Sequence, residues 1–224
     1  MPLWITSITF LILSFISMIA FGLINFFEEQ KVKYSFLQMF PYELSSQSRG
    51  KYYILHRLFL YFYVAFSLTP ALLLFMKYQS YQQLSSFLLF VNVLFIIQAI
   101  IFLSLNIIEA RFIKTHATIA TLYFAFSLLS SGGASIFLIN LYINSSDNLV
   151  TQLVIGVLLV LISILLLVIM LNPRLKNWPQ LEQVNNIDGT QSLKRPKIFI
   201  LAFSEWLVVF LNFIAYLLIL IAYL

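Results

Sequence analysis

Six long apolar stretches, separated by short polar segments, constrain this chain more than any other feature of its sequence. A helix rises about 1.5 Å per residue, so about 20 apolar residues cross the hydrocarbon core of a bilayer, which is about 30 Å thick. Each stretch is longer than that. The stretches occupy residues 3–27, 53–76, 86–108, 116–143, 149–171 and 198–224. The sequence therefore predicts an all-α, polytopic integral membrane protein, with six transmembrane helices in a single domain over residues 1–224.

The amino-acid composition excludes a water-soluble globular fold. The chain is 62% hydrophobic and 9% charged, whereas a soluble domain carries about 25% charged residues, which cover its surface. No cysteine is present, and this absence excludes disulfides, thiolate metal sites and cysteine nucleophiles.

The positive charges lie almost entirely between alternate pairs of the predicted helices. Of the 13 Lys and Arg residues, all except Lys77 lie in or beside the segments that join helices 1 and 2, 3 and 4, and 5 and 6. They are Lys31, Lys33, Arg49, Lys51, Arg57, Arg111, Lys114, Arg174, Lys176, Lys194, Arg195 and Lys197. Loops rich in Lys and Arg stay cytoplasmic. We therefore expect segments 28–52, 109–115 and 172–197 to be cytoplasmic, and both termini to lie outside the cell membrane.

The same charge distribution indicates the expected partners. Basic residues beside membrane helices attract anionic lipid head groups, so the bilayer on the cytoplasmic side is the first of them. Other membrane subunits are the second. None of the basic segments is long enough to form a nucleic-acid-binding module, which excludes nucleic acid.

Two of the predicted cytoplasmic loops are long enough to carry local structure. The first contains an aromatic and amphipathic run over residues 34–44, interrupted by Pro41, and this run is predicted to lie in the plane of the membrane interface. The second contains the turn pair Asp188-Gly189. The loops on the other side are short, so no extracellular domain is expected.

A weak internal repeat relates the second and fourth helices. His56 is followed by Tyr63-Val-Ala-Phe-Ser-Leu68, and the pattern recurs 60 residues later, where His116 is followed by Tyr123-Phe-Ala-Phe-Ser-Leu128. This spacing favours three tandem two-helix hairpins, an arrangement of internal repeats that occurs among membrane transport proteins. The alternative is a chance match between helices rich in Phe, Leu and Ser.

Glu205 is the main candidate for a functional side chain, because carboxyl groups inside a bilayer face the bundle interior or mark a pathway. Asn212 and Tyr216 share its helical face within about 20°. We therefore expect Glu205 to point into the bundle and to meet a polar group of another helix. The neighbours preferred by depth are Asn106, His56 and His116. Glu205, Asn212 and Tyr216 could bind a ligand or a proton. Alternatively, Glu205 is a hydrogen-bonded structural carboxyl, or it reaches the nearer interface.

The two histidines, His56 and His116, lie at the cytoplasmic ends of helices 2 and 4. Imidazoles of two neighbouring helices at one depth can ligate a haem iron or take part in a proton relay. Both residues are therefore further candidates for ligand or proton binding, and anchoring at the interface is the simpler role. The first hypothesis assigns the protein no cofactor and no metal, with a haem b held by His56 and His116 as the alternative.

Small residues form a seam on helix 4. The serines of this seam recur every four residues, with two glycines beside them, which lets helices approach closely. The residues are Ser127, Ser131, Gly132, Gly133 and Ser135. Helix packing is the predicted role, and a helix broken at the two glycines to line a cavity is the alternative.

The sequence does not identify one function. No nucleophile elbow, metalloprotease motif or phosphate-binding glycine loop is present, so an enzyme is not expected. The first hypothesis is a non-catalytic membrane protein that acts as an accessory, immunity or assembly factor. The alternatives are a small transporter or channel that uses Glu205, and a membrane electron carrier with a bis-His haem.

Overall fold

The structure, a computed structural model, describes residues 2–46, 51–108, 112–145, 149–173, 175, 182–185 and 191–224. Several basic loop residues and the predicted turn pair lie outside these described residues, namely Arg49, Arg111, Arg174, Lys176, Asp188 and Gly189. The described part of the chain forms eight helices and two short strands.

Six spans of the described chain are long and apolar enough to cross a membrane, which confirms the predicted six-helix membrane bundle. The helices are α1 (Leu3–Gln30), α2 (Glu43–Ser46), α3 (Tyr53–Ser67), α4 (Thr69–Tyr78), α5 (Gln82–Ile107), α6 (Ile113–Asn144), α7 (Val150–Met170) and α8 (Ile200–Ala222). Helices α3 and α4 together form the second span. The observed ends differ from the predicted ones by a few residues, which is usual for helix termini.

The second span is interrupted near its middle by a local sequence effect. Pro70 has no N–H group, so the carbonyl of Phe66 loses its helical donor. The Thr69 hydroxyl donates to that carbonyl oxygen at 2.8 Å instead. The same short segment therefore ends α3 and replaces the hydrogen bond that the proline removes.

A two-stranded hairpin in the segment before α8 adds to the predicted all-α fold. Strand β1 (Glu182–Asn185) pairs antiparallel with β2 (Gln191–Lys194), with Asn185 opposite Gln191. The predicted Asp188-Gly189 turn falls between the strands, in a segment outside the described residues.

Helix α8 lies at the centre of the bundle, and α7 lies at its edge. Helix α8 contacts α1, α4, α6 and α7, and 56% of its apolar window is buried, compared with 28% for α7. The polar residues of α8 are therefore held among other helices, whereas most of the α7 surface is apolar and exposed.

Part of the predicted serine seam of α6 packs against α7, whereas Ser127 contacts α5 and α8 and Gly133 faces α5. Ser131 Oγ lies 2.9 Å from Ser163 Oγ, and Ser135 Oγ donates to the Gly156 carbonyl at 2.9 Å. A Cβ atom at Gly156 would lie 2.8 Å from Ile139 Cγ1, so only glycine permits this approach. Helix α6 is continuous through its two glycines, and the alternative of a helix broken there is not observed.

The internal repeat stays a prediction. His56 and His116 are both buried, as are Ser67 and Ser127. Helix α3 ends at Ser67, whereas α6 continues past Ser127. In addition, α6 packs more extensively on α7 than on α5, that is, across the boundary between the second and third predicted hairpins.

Residues 34–44, called the docked loop below, fold back onto one end of the bundle. Its residues 40–44 are all buried, and the Phe199 N–H, just before α8, donates to the Leu37 carbonyl at 2.7 Å. The predicted position of this run in the interface plane stays a prediction. An apolar aromatic segment can bury its side chains against protein as well as against lipid head groups, and here it packs on protein.

The two ends of the bundle can be told apart by these contacts. The end that carries the docked loop and residues 195–199 is called the basic end. At the opposite end Gln152 Nε2 donates to the Ala222 carbonyl at 2.9 Å and to the Tyr78 hydroxyl at 3.2 Å. Lys77 Nζ donates to the Tyr223 carbonyl there. These bonds join the ends of α4 and α8 to the start of α7.

Candidate functional site

A buried pair of ionisable side chains lies near the basic end. His116 of α6 and Glu205 of α8 are each 0% exposed, and His116 Nε2 lies 3.1 Å from Glu205 Oε1. This confirms the expectation that Glu205 points into the bundle and meets a polar group of another helix, with His116 among the neighbours preferred by depth. Whether the pair binds a ligand or a proton stays a prediction.

The hydrogen bonds of His116 determine how many protons the pair holds. Its Nδ1 lies 3.0 Å from the Ile108 carbonyl, and a carbonyl oxygen only accepts, so Nδ1 carries a proton. The contact between Nε2 and Glu205 Oε1 then needs one further proton. That proton belongs either to the imidazole, giving an ion pair, or to the carboxyl, giving a neutral pair.

The docked loop covers the imidazole of this pair. The His116 ring meets the edges of two aromatic rings, with centroid distances of 5.2 Å to Phe40 and 5.0 Å to Tyr42. Both rings are buried. The second carboxylate oxygen of Glu205, Oε2, has no hydrogen-bond partner among the described residues. The pair therefore lies in a closely packed, largely apolar environment.

A second ionic contact holds the docked loop in place. Arg195 Nη1 donates to both carboxylate oxygens of Glu43, at 2.8 and 3.0 Å, and to the Gln38 carbonyl at 3.1 Å. Glu43 is buried, and its Oε1 also accepts from the Phe40 N–H at 2.9 Å. The Glu43 carboxylate therefore accepts hydrogen bonds both from its own loop and from Arg195. These bonds connect the chain just before α8 to the loop after α1.

An aromatic hydrogen-bond network joins the same loop to α8. Trp206 Nε1 donates to the Tyr34 hydroxyl and to the Met39 carbonyl, at 3.0 Å each. The Tyr34 hydroxyl in turn donates to the Phe40 carbonyl at 2.7 Å. Burial raises the pKa of Tyr34 well above its usual value, and the hydrogen bond from Trp206 offsets this only in part. The phenol therefore stays a donor at physiological pH.

A separate polar layer lies deeper in the bundle. Asn212 Nδ2 donates to the Tyr123 hydroxyl at 2.9 Å and to Ser127 Oγ at 2.7 Å. Gln98 Nε2 donates to the same Ser127 oxygen at 3.2 Å. The Tyr216 ring packs against Tyr63 of α3 and Phe95 of α5, with centroid distances of 6.5 and 5.9 Å. The predicted residues Asn212, Tyr216 and Ser127 are thus brought together by contacts that join α3, α5, α6 and α8.

The two polar layers use different partners. Glu205 binds His116, whereas Asn212, which is seven residues and therefore about 10 Å further along α8, binds Tyr123 and Ser127. Glu205, Asn212 and Tyr216, which were predicted to share one face of the sixth membrane helix, are all buried on α8. Glu205 belongs to one polar layer, and Asn212 and Tyr216 lie deeper in the bundle.

The two histidines occupy different environments. His56 Nδ1 lies 2.8 Å from the Met18 carbonyl of α1, and its ring packs against Gly22. Its Nε2 has no hydrogen-bond partner among the described residues. Both ring nitrogens of His116 are engaged, so a haem iron would have to displace Glu205 from Nε2. The observed contacts therefore give no support to the bis-His haem alternative.

Two surface pockets are lined by described residues, and no metal-binding cluster occurs among those residues. One pocket, of about 370 Å³, lies at the opposite end around Lys77 and Gln152. The other, of about 510 Å³, is a groove beside Arg57. Neither pocket is lined by Glu205, His116 or Asn212. No group of three His, Asp or Glu side chains within the described ranges could hold a metal ion.

Sequence reasoning missed the residues that enclose the pair. Arg195 is predicted only as a basic loop residue, and no role is predicted for Glu43, Tyr34 or Trp206. One signal was present for Glu43, because it lies directly after the apolar residues Phe40, Pro41 and Tyr42. A charge beside such a run needs a partner if the run is buried.

No protein-family model, curated protein or solved structure matches this chain.

Proposed function

We propose that this protein is a non-catalytic membrane protein that acts through contacts with other membrane proteins, as an accessory, immunity or assembly factor. One observation carries the proposal. The polar side chains inside the bundle bind one another across helices and line neither described pocket. A transport pathway needs polar groups that face a passage for the substrate, and the described residues show that arrangement at neither polar layer.

The polar contacts have a sufficient structural role. Hydrogen bonds between membrane helices contribute on the order of 1 kcal/mol each. Glu205 and Asn212 place such bonds at two depths of α8, and this fixes the rotation and depth of the central helix. A rigid bundle with an apolar outer surface suits a protein that presents that surface to a partner in the membrane.

The proposal includes the location and the orientation. We place the protein in the cell membrane with the basic end in the cytoplasm and both termini outside. Lys31, Lys33 and Lys51 are exposed at the basic end, and Lys77 lies at the other. Basic residues of short loops are retained on the cytoplasmic side, where they also meet anionic lipid head groups.

Ion flux in proteoliposomes tests the proposal directly. Purified wild-type protein and the Glu205→Gln variant are reconstituted, and proton and monovalent-cation flux is measured under an imposed potential. We expect both to match protein-free liposomes. Flux that wild type shows and Glu205→Gln lacks would contradict the accessory role in favour of transport.

A photo-crosslinking scan in intact cells tests the positive part of the proposal. A photoreactive residue is placed at exposed positions of α7, namely Val154, Leu161 and Val168, and of α1, at Leu13. We expect a discrete protein adduct of constant mass from neighbouring positions of one face. Leu159, which is fully buried, is the matched control and should give none. Adducts with lipid alone from every exposed position would contradict the proposal.

A second candidate function, proton- or cation-coupled transport through Glu205, has one specific observation in its favour. The His116–Glu205 pair holds one proton that can belong to either side chain, and Glu205 Oε2 lacks a hydrogen-bond partner among the described residues. Transport at this site requires the docked loop to move, since Phe40 and Tyr42 cover the imidazole. The flux experiment separates the two functions.

A further inference from the structure

The docked loop places one aromatic ring against members of two ionisable pairs. The Phe40 ring, which is buried, lies 5.2 Å from the His116 ring centroid and 5.9 Å from the guanidinium carbon of Arg195. Tyr42 covers the same imidazole, at 5.0 Å between centroids. The Phe40 N–H donates to Glu43, the partner of Arg195. The docking of the loop is therefore coupled to the charge of the groups beneath it.

The number of protons on the His116–Glu205 pair sets that charge. With one shared proton the pair has no net charge, whether the proton belongs to the imidazole or to the carboxyl. A second proton leaves an imidazolium beside a neutral carboxyl, which is a net charge of one buried group. Such a charge loses its hydration, and the contacts with Phe40 and Tyr42 replace that hydration only in part.

Among the described residues, no unpaired negative charge is available to balance this second proton. The Glu43 charge acts on both His116 and Glu205, but both Glu43 oxygens already accept from Arg195. Lys114, at the start of α6, is exposed and also positive. Neither α5 nor the rest of α8 contains a charged residue. The other titratable groups around the pair are phenols, which are neutral in acid, namely Tyr34, Tyr42 and Tyr123.

We propose that the docked loop is an acid-released lid, which leaves His116 and admits water when the His116–Glu205 pair takes up a second proton. With one proton on the pair the loop stays docked, because the apolar cover then lies on an uncharged site. With two protons the imidazolium gains hydration from release of the loop. The inference goes beyond the proposed accessory role and does not rest on it.

Trp206 provides a reporter of the lid. Its ring is 2% exposed, packs against Tyr34 and Phe36 of the docked loop, and loses this cover if the loop leaves. The chain has two other tryptophans, Trp4 and Trp178. Replacing both by Phe leaves Trp206 as the single fluorophore. Quenching of its emission by the neutral quencher acrylamide is then measured on the full chain in detergent, from about pH 8 to about pH 5, where imidazoles titrate.

The quenching constant of Trp206 should rise severalfold as the pH falls. His116→Gln, which removes the imidazole, should abolish this rise. The matched control is His56→Gln, the same substitution at the other buried histidine, and it should keep the rise. Circular dichroism of the same samples should show constant helix content, because only the loop moves.

NMR of protein labelled at histidine supplies a second measurement on the chain with both histidines present, with His56→Gln to assign the signals. The His116 ring should change to the imidazolium form over the same pH range as the quenching rise. This comparison decides the matter if His116→Gln is already strongly quenched at about pH 8, which would show that the substitution itself undocks the loop.

Four results would overturn the lid. They are constant quenching in the unsubstituted background, an equal rise in His116→Gln, a rise accompanied by loss of helix, and a His116 signal that stays constant while quenching rises. The second result would assign the response to another group, Glu43 first. Flux and cross-linking, which test the proposed function, are separate measurements, so the lid and that function can fail independently.

Discussion

Both ring nitrogens of His116 take part in hydrogen bonds, Nδ1 with the Ile108 carbonyl and Nε2 with Glu205. The Ile108 carbonyl fixes a proton on Nδ1 of His116, so Nε2 accepts from a protonated Glu205 when the ring is neutral and donates to the Glu205 carboxylate when the ring is charged. A buried polar group without a partner destabilises a protein by about 1–3 kcal/mol. The identity of residue 205 is therefore constrained by hydrogen-bonding capacity as well as by charge.

The first prediction follows from this capacity. Glu205→Gln keeps an N–H donor for His116 Nε2, so we expect little change in the thermal unfolding temperature in detergent. Glu205→Leu leaves Nε2 unsatisfied and should lower the free energy of unfolding by about 1–3 kcal/mol. Equal destabilisation by both substitutions would show that the negative charge of Glu205, rather than its hydrogen bond, holds the site.

The second prediction concerns Gly22 of α1, which lies against the other histidine. A Cβ atom there would stand 2.8 Å from His56 Nδ1 and 3.0 Å from Leu44 Cβ. Gly22→Ala should therefore reduce the free energy of unfolding by about 1–3 kcal/mol, because the crowded side chains must shift.

Gly132 provides the matched control for this substitution. Its nearest neighbour, Ser163 Oγ, would lie 3.6 Å from the added Cβ, an ordinary contact. Gly132→Ala should be neutral or stabilising by up to about 1 kcal/mol, since alanine favours helix more than glycine does. Thermal unfolding in detergent measures both, and equal effects at the two sites would contradict the packing argument.

Among the elements, the docked loop has the least expected position. It is attached to the chain just before α8, through Leu37 to Phe199 and through Glu43 to Arg195, and to α8 itself through Met39 to Trp206. These contacts join segments that lie more than 150 residues apart in the chain. Because Phe40 and Tyr42 of the loop also cover His116, we expect its attachment to limit the access of water to the His116–Glu205 pair.

The third prediction tests this attachment through Glu43 and Arg195. A double-mutant cycle with Glu43→Gln and Arg195→Gln should give a coupling energy of about 1–2 kcal/mol, within the range for contacting residues. The partial exposure of Arg195 limits the value by solvent screening. Unfolding in a denaturing detergent provides the four free energies, and a coupling energy near zero would contradict the assigned role.

Cysteine accessibility gives an independent reading of the same loop. The chain contains no cysteine, so Leu44→Cys introduces a single thiol at a buried position. We expect slow labelling in the otherwise unchanged protein and faster labelling after Arg195→Gln. Lys33→Cys, at an exposed position, is the control that should label at the same rate in both backgrounds.

At the scale of the whole molecule, the bundle has two chemically different ends around an apolar middle. The basic end carries the docked loop and most of the described Lys and Arg residues, and the opposite end joins the ends of α4 and α8 to α7. A central α8 with two polar layers holds these ends at a fixed separation. This polarity underlies the proposed orientation.

The fourth prediction tests that orientation in intact cells. Gln79→Cys, exposed at the opposite end, should react with a membrane-impermeant thiol reagent, whereas Lys33→Cys should react only after permeabilisation. The unchanged protein, which has no thiol, provides the background. The reverse labelling pattern would place the termini in the cytoplasm.

The sequence by itself determined the six spans, because bilayer thickness imposes a minimum length on each apolar stretch and this requirement is local. It also determined that Glu205, Asn212 and Tyr216 share a buried face, because helical periodicity is local too. The predicted depth of each polar residue along its helix also limited the expected neighbours of Glu205 to Asn106, His56 and His116. Each of these features depends on residues close together in the chain.

The tertiary structure alone decided which distant segments meet. An aromatic run such as residues 34–44 satisfies its hydrophobic side chains equally well at a lipid interface or against protein, so its sequence cannot distinguish the two. The choice depends on whether Glu43 finds Arg195 and whether Tyr34 finds Trp206. Those contacts exist only after the helices have packed, because pairing between distant residues is set by the shape of the assembled bundle rather than by any local pattern.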